Sequence, residues 1–176
     1  MKLNVLKQAS LPDALTAELA RRYHLVELTA LTDADFRALA GTFTVLITNG
    51  EATVTRELIA SLPALELIAV FGVGYDGVDV QAAAEHQVRV SHTPGVLTDD
   101  VADLALGLML ATSRQIVAAH KFIEAGEWAA GGFPWTQKVS GSRVGIVGMG
   151  RIGQAIARRC EGFAMQIAYH DRKRLP

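Results

Sequence analysis

Gly148, Gly150 and Gly153 stand in the stretch VGIVGMGRIGQAIARR as G-x-G-x-x-G, between an apolar run and a helical pattern. At a strand-to-helix junction each glycine has a separate task. The first permits a tight turn, the second lets a pyrophosphate reach the backbone, and the third lets helix and strand pack closely. The start of the helix then offers unpaired N–H groups and positive potential to phosphate oxygens. Asp171 follows Gly148 by 23 residues, close to the ~20 at which an acid meets ribose hydroxyls in dinucleotide-binding units. Its charge would repel a 2′-phosphate, which favours NAD. Arg172, Lys173 and Arg174 stand beside it and are suited to holding such a phosphate, so NADP stays open. A tight turn with no ligand is the plainer alternative for the glycines, and a solvated loop for the basic run.

A second candidate lies upstream, in VFGVGYDGVD. An apolar strand ending in Gly72-x-Gly74 can turn free backbone amides toward an anion. Thr98 is placed to cap a long helix, with Asp99 and Asp100 in its first turn complementing the helix dipole.

The elements that must position these residues alternate. LNVLK, HLVEL, FTVLIT, LELIAVFGV and VRVSH read as strands. LPDALTAELARRY, TRELIASL and DVQAAAEH read as helices. That alternation implies a mostly parallel α/β sheet. The run from Thr98 reads as one helix to about Gly126, apolar on nearly every face in its first half, the mark of a helix buried between layers, domains or subunits. EWAAGGFPWTQKVSGS reads as a loop or linker. RVGIVG, RIGQAIARRCEGF and MQIAYH then read as strand, helix and strand.

Bulk properties narrow the class. Half of the 176 residues are hydrophobic and the formal net charge is −1, which gives no electrostatic case for nucleic acid or an anionic membrane. The single cysteine, Cys160, excludes an internal disulfide and suits a reducing, cytoplasmic setting. The N-terminus carries no signal-peptide pattern, and no apolar run approaches the ~20 residues of a membrane span.

VFGVGYDGVD, HTPGVLTDDVADLALGLMLATSR and VGIVGMGRIGQAIARR together resemble the D-isomer-specific 2-hydroxyacid dehydrogenases, nearest to the glyoxylate/hydroxypyruvate reductases. The resemblance implies a flavodoxin-like, parallel-sheet substrate domain over residues 1–97. The linking helix and first β-α-β of a Rossmann NAD(P)-binding domain would follow over 98–176. It assigns the backbone amides of Val73 and Gly74 to the substrate carboxylate. Thr98 and Val101 fall on the nicotinamide side, and the main chain of Arg151 and Ile152 meets the pyrophosphate. Asp103 fits an acidic position of the helix block, with no catalytic role. His92 stands where relatives often have Asn and is read as structural. Trp135 lies where some hydroxypyruvate reductases place an aromatic against a neighbouring subunit, and a packing role is the simpler reading. The partners implied are a small 2-keto or 2-hydroxy acid and a second copy of the chain.

Reduction of a keto acid also needs a cation for the carboxylate and keto oxygen, and a general acid to protonate that oxygen. In the family these are an Arg and a His, with an acid tuning the His. No residue here matches those roles, and His24, His86, His92, His120 and His170 fit no catalytic block; no metal ligands are assigned. The expectation is the N-terminal portion of a longer enzyme, inactive alone. A dinucleotide-binding regulatory module without turnover is the second reading. A simple flavodoxin-like domain is the third, and it leaves the glycine motif and Asp171 unexplained.

Overall fold

The computed structural model describes residues 2–174 and divides into two compact units, Met1–Pro94 and Gly95–Pro176. Met1, Leu175 and Pro176, at the ends of the two expected domains, lie outside the described residues.

The first unit alternates strictly. Its strands are β1 (Asn4–Lys7), β2 (His24–Glu27), β3 (Phe43–Asn49), β4 (Leu67–Phe71) and β5 (Arg89–Ser91). Its helices are α1 (Asp13–Arg22), α2 (Asp33–Leu39), α3 (Arg56–Ala60) and α4 (Val80–Glu85). Every strand pairing is parallel and the order is β2-β1-β3-β4-β5, the doubly wound flavodoxin-like order. The sheet grows outward in opposite directions from β1 and β3, so a crevice opens between the carboxyl ends of those two strands. Leu6, Phe43, Leu46, Val54 and Ile68 are fully buried at the centre of the core, with Ile59, Leu62, Ala82 and Ala83 from the helical side. Val5, Leu11 and Ile47 form a smaller cluster with Leu15 and Leu19.

Helix α2 is absent from the sequence reading. A parallel connection from β2 to β3 needs a crossover, and seven residues give too little period for the apolar pattern to announce it. Its start is nonetheless marked: Thr32 Oγ1 accepts the Asp35 N–H at 3.2 Å. Thr55 caps α3 and Asp79 caps α4 in the same way.

In the second unit the run from Thr98 forms two helices rather than one, α5 (Thr98–Ser113) and α6 (Ile116–Glu124), bent by 55°. The cause is local. Gln115 sits in the left-handed region at φ 50°, a conformation that cannot continue a right-handed helix. The Arg114 N–H turns back to the Leu110 carbonyl and that of Gln115 to Thr112. Thr98 does not cap α5. Leu97 holds the N-cap position without a side-chain bond, and Thr98 is the first helical residue. Burial of α5 is also narrower than its composition suggests: Ala102 and Leu106 are buried, while Val101, Leu104 and Leu108 are exposed. Among the described residues no single helix is long and apolar enough to cross a membrane.

Gly126, at φ 74°, ends α6. The segment after it is irregular apart from a short 3₁₀ turn at Glu127–Ala129. It is tied to the end of α5 by Gln137 N–H to Ser113 O and by Arg114 Nε to Thr136 Oγ1, at 3.0 and 2.9 Å. Then come β6 (Arg143–Val147), α7 (Arg151–Glu161) and β7 (Gln166–His170), with β6 and β7 parallel in a two-stranded sheet. Helix α7 packs on α5, where Arg159 pairs with Asp103 at 2.5 Å and Asp99 at 3.1 Å. Asp103, then Asp99, raise the Arg159 pKa above its ordinary value. This ion pair accounts for the acidic position within the helix block.

Candidate functional site

The glycine loop lies between β6 and α7. Gly148 holds φ 92°, where a side chain would strain the backbone, and its N–H donates to His170 O at 2.8 Å. A Cβ on Gly153 would lie 2.1 Å from the Gly148 carbonyl oxygen, so only glycine lets α7 sit this close to β6. A Cβ on Gly150 would meet no protein atom within 4 Å. Close packing therefore does not require glycine at that position, and the open space beside the loop backbone is what an approaching phosphate needs. The Gln154 N–H closes the first helical bond on Gly150 O at 2.9 Å. The amides of Arg151, Ile152 and Gly153 precede it and stand at the positive end of the helix dipole. The loop thus fits a dinucleotide pyrophosphate.

Asp171 meets the same loop. Its Oδ2 accepts the Met149 N–H at 2.6 Å, and its Oδ1 takes a longer contact of 3.4 Å from Lys173 N–H. These bonds, that of Met149 first, lower the carboxyl pKa below its ordinary value. Gln154 Nε2 adds a bond to Met149 O at 3.0 Å, so Met149 is held through both its N–H and its carbonyl. Arg172 is exposed beside Asp171. Thr98 and Val101 stand in the first turn of α5, Val101 exposed.

The other candidate residues belong to the first unit. A cleft of about 600 Å³ is lined by Ser10, Pro12, Asn49, Gly50, Glu51 and Gly72, among others. These follow the carboxyl ends of β1, β3 and β4, where an open α/β sheet binds ligands. Beneath it Thr48, fully buried, donates to Gln8 Oε1 at 2.6 Å, and Gln8 Nε2 donates to Thr53 O at 2.7 Å. This seam ties the ends of β1 and β3 together. Val73 and Gly74 continue from Gly72 beside the cleft. Among the described residues neither their N–H groups nor that of Gly50 has a hydrogen-bond partner. Close backbone approach shapes the loop: a Cβ on Gly50 would lie 3.1 Å from Gly74 O, and one on Gly77 2.3 Å from Ala52 O.

His92 bonds through Nδ1 to Val73 O at 2.9 Å and meets the Tyr75 ring edge-on, the centroids 4.7 Å apart. The structural role expected of it has a definite partner. The Met149–Asp171 bond, Gln154 and the cleft residues Ser10, Asn49 and Glu51 escaped the sequence reading. Only for the last three was there a signal, since each lies at the carboxyl end of a strand or within three residues of it.

A family model described as D-isomer specific 2-hydroxyacid dehydrogenase, catalytic domain, matches residues 5–169. The chain belongs to this family. It is 44% identical over 176 residues to a hydroxyphenylpyruvate reductase of Plectranthus scutellarioides, covering 99% of this chain and 56% of that protein. A solved 2-hydroxyacid dehydrogenase from Ketogulonicigenium vulgare Y25 superposes with a TM-score of 0.93 at 40% identity, over 99% of this chain and 56% of that one. An NADPH-dependent glyoxylate/hydroxypyruvate reductase from Sinorhizobium meliloti, solved with NADP and malonate, gives 0.86 at 36% identity, over 99% and 55%. The chain therefore spans about half the length of the 2-hydroxyacid dehydrogenase relatives it matches.

Proposed function

We propose that this chain supplies the carboxylate-binding loop and the first half of the dinucleotide site of an NAD(P)-dependent oxidoreductase that reduces a small 2-keto acid, such as glyoxylate or hydroxypyruvate. The observation that carries the reading is the glycine loop, where Gly150 leaves open space at the start of α7 while Gly148 and Gly153 are fixed by conformation and packing. A bound nicotinamide dinucleotide supplies the hydride. The amides of Arg151 and Ile152 hold its pyrophosphate, and Gly148, Gly150 and Gly153 shape the turn that admits it. Asp171 accepts the adenosine ribose hydroxyls. Thr98 and Val101 line the nicotinamide side. The Val73 and Gly74 amides orient the keto acid by its carboxylate.

NAD is the preferred cofactor in this reading, because the Asp171 carboxylate, ionised and bonded to the loop, repels a 2′-phosphate. Arg172 keeps NADP as the alternative. The substrate domain is taken as residues 1–97 and the dinucleotide domain as starting at Thr98. The working protein is a cytoplasmic homodimer, and residues 1–176 alone do not turn over, since no Arg, acid and His in them match the catalytic set. The decisive experiment measures keto-acid-dependent oxidation of NADH and NADPH by the whole protein, with residues 1–176 in parallel. Turnover by the whole protein with glyoxylate or hydroxypyruvate supports the reading. Dinucleotide binding without turnover selects the regulatory module instead. Turnover by residues 1–176 overturns the assignment of the chain as inactive alone, and a strong NADPH preference overturns the weight given to Asp171.

A further inference from the structure

We infer that His92 is a positioning residue that orients and polarises the peptide unit holding the substrate carboxylate; this rests on the proposed role of Val73 and Gly74. The Val73 carbonyl and the Gly74 N–H belong to one peptide group. In a trans peptide they point in opposite directions, so a donor fixed on the carbonyl fixes where the N–H is aimed. His92 Nδ1 lies 2.9 Å from Val73 O. A carbonyl oxygen only accepts, so Nδ1 carries the proton and donates. The Gly74 N–H on the far side has no partner in the protein among the described residues.

The arrangement is a relay of hydrogen bonds, from imidazole N–H to carbonyl and from amide N–H to an incoming carboxylate. Each bond in such a chain polarises the next. A donor on the carbonyl draws electron density from the amide and makes Gly74 N–H a stronger donor.

Two further contacts hold the relay in register. The Thr93 N–H donates to Gly72 O at 2.9 Å, so two adjacent residues after β5 grip two adjacent carbonyls of the loop after β4. The edge-on contact with Tyr75 sets the plane of the imidazole. Beside these rings lies a cavity of about 290 Å³, lined by Tyr75, Val80, Val90 and His92, so the ring is held by its bond and its aromatic neighbour rather than by close packing on every side.

The test uses the whole ¹⁵N-labelled protein, titrated with glyoxylate and followed at the Gly74 amide. His92→Phe keeps a ring against Tyr75 and removes the donor; His92→Asn keeps an N–H donor on a smaller side chain. Losing one neutral hydrogen bond in the relay should weaken glyoxylate binding about fivefold in His92→Phe. The unbound Gly74 amide proton should also move upfield. His92→Asn should bind within about twofold of the native chain. Equal glyoxylate affinity and an unmoved Gly74 amide in a folded His92→Phe overturn the inference and leave the carboxylate site standing. Should His92→Phe fail to fold, the comparison passes to His92→Asn and His92→Ala, and equal affinity in those two overturns the inference. A native whole protein whose Val73 and Gly74 amides do not respond to glyoxylate overturns the carboxylate reading itself.

Discussion

The two units handle the same sequence device, a parallel strand-helix-strand, in different circumstances. In the first, the three central strands of five are paired on both sides, and Leu6, Phe43, Leu46 and Ile68 have no exposed surface. In the second, among the described residues, two strands pair only with each other. Val147 on β6 is 88% exposed, and Leu104, Leu108 and Ile123 on α5 and α6 are each more than half exposed. The first unit thus closes its own core. The second satisfies the backbone of its glycine loop locally and leaves a broad apolar surface open. Fold and loop are separable problems: Gly148, Gly153 and Asp171 fix the shape of the glycine loop without a completed sheet around them.

The sharpest break in this comparison is truncation in each core. Phe43→Ala should destabilise the first unit by about 3–5 kcal/mol through lost burial and the cavity left behind. Leu104→Ala, at an exposed position, should change stability by less than about 0.5 kcal/mol. Urea midpoints at two protein concentrations measure both. A concentration-dependent loss for Leu104→Ala would show that a second copy covers this face, as the proposed homodimer requires.

The glycines of the loop separate packing from binding. Gly153→Ala forces a Cβ into the Gly148 carbonyl and should cost about 1–3 kcal/mol, as overpacking does, together with dinucleotide binding. Gly150→Ala meets nothing in the protein. Its melting temperature should hold while NADH affinity falls at least about tenfold, a difference of 1.4 kcal/mol. Calorimetric titration beside thermal melts distinguishes the two. Equal affinity for Gly150→Ala would remove the pyrophosphate from this loop.

Asp171 gives the second unit a pH dependence. Its carboxyl pKa is lowered in the folded chain, first by the Met149 N–H. The stabilisation is present above the ordinary carboxylate range and is lost as pH falls through the depressed folded value. The Met149 amide should therefore titrate in NMR at a pH below that of an unperturbed aspartate. Asp171→Asn should abolish the titration and narrow any preference for NADH over NADPH. A Met149 amide that titrates at the ordinary aspartate value would mean the bond does not hold in solution.

Legibility followed the range of the forces involved. Strands such as LELIAVFGV and helices such as RIGQAIARRCEGF carry their pattern in neighbouring residues, and both elements form where that pattern lies. Helix α2 escaped because its seven residues span two turns, and its existence is dictated by the crossover from β2 to β3. The break at Gln115 escaped because nothing in TSRQIV forbids a helix; its left-handed backbone is set by the turn that ends α5. The glycine loop was readable because Gly148 and Gly153 answer local demands of conformation and packing, and Gly150 completes their spacing. The Asp171–Met149 bond was not, since an acid 23 residues after the first glycine suggests a ribose ligand and says nothing of a free amide nearby.

The smallest effect concerns two threonines that look alike in sequence. Thr32 and Thr98 each precede acidic residues at the start of a helix. Thr32 is a true cap, its Oγ1 accepting the Asp35 N–H and donating to Asp35 Oδ2 at 2.6 Å. Thr98 lies one position further in, where its side chain makes no cap bond. Thr32→Ala should therefore cost about 1 kcal/mol, read as a shift in the urea midpoint of the first unit. Thr98→Ala should cost less than about 0.5 kcal/mol. If Thr98→Ala weakens NADH binding at unchanged stability, its hydroxyl serves the cofactor, as the first turn of α5 is proposed to do. If it lowers stability as much as Thr32→Ala does, the residue caps the helix in solution and its place in the cofactor site loses its support.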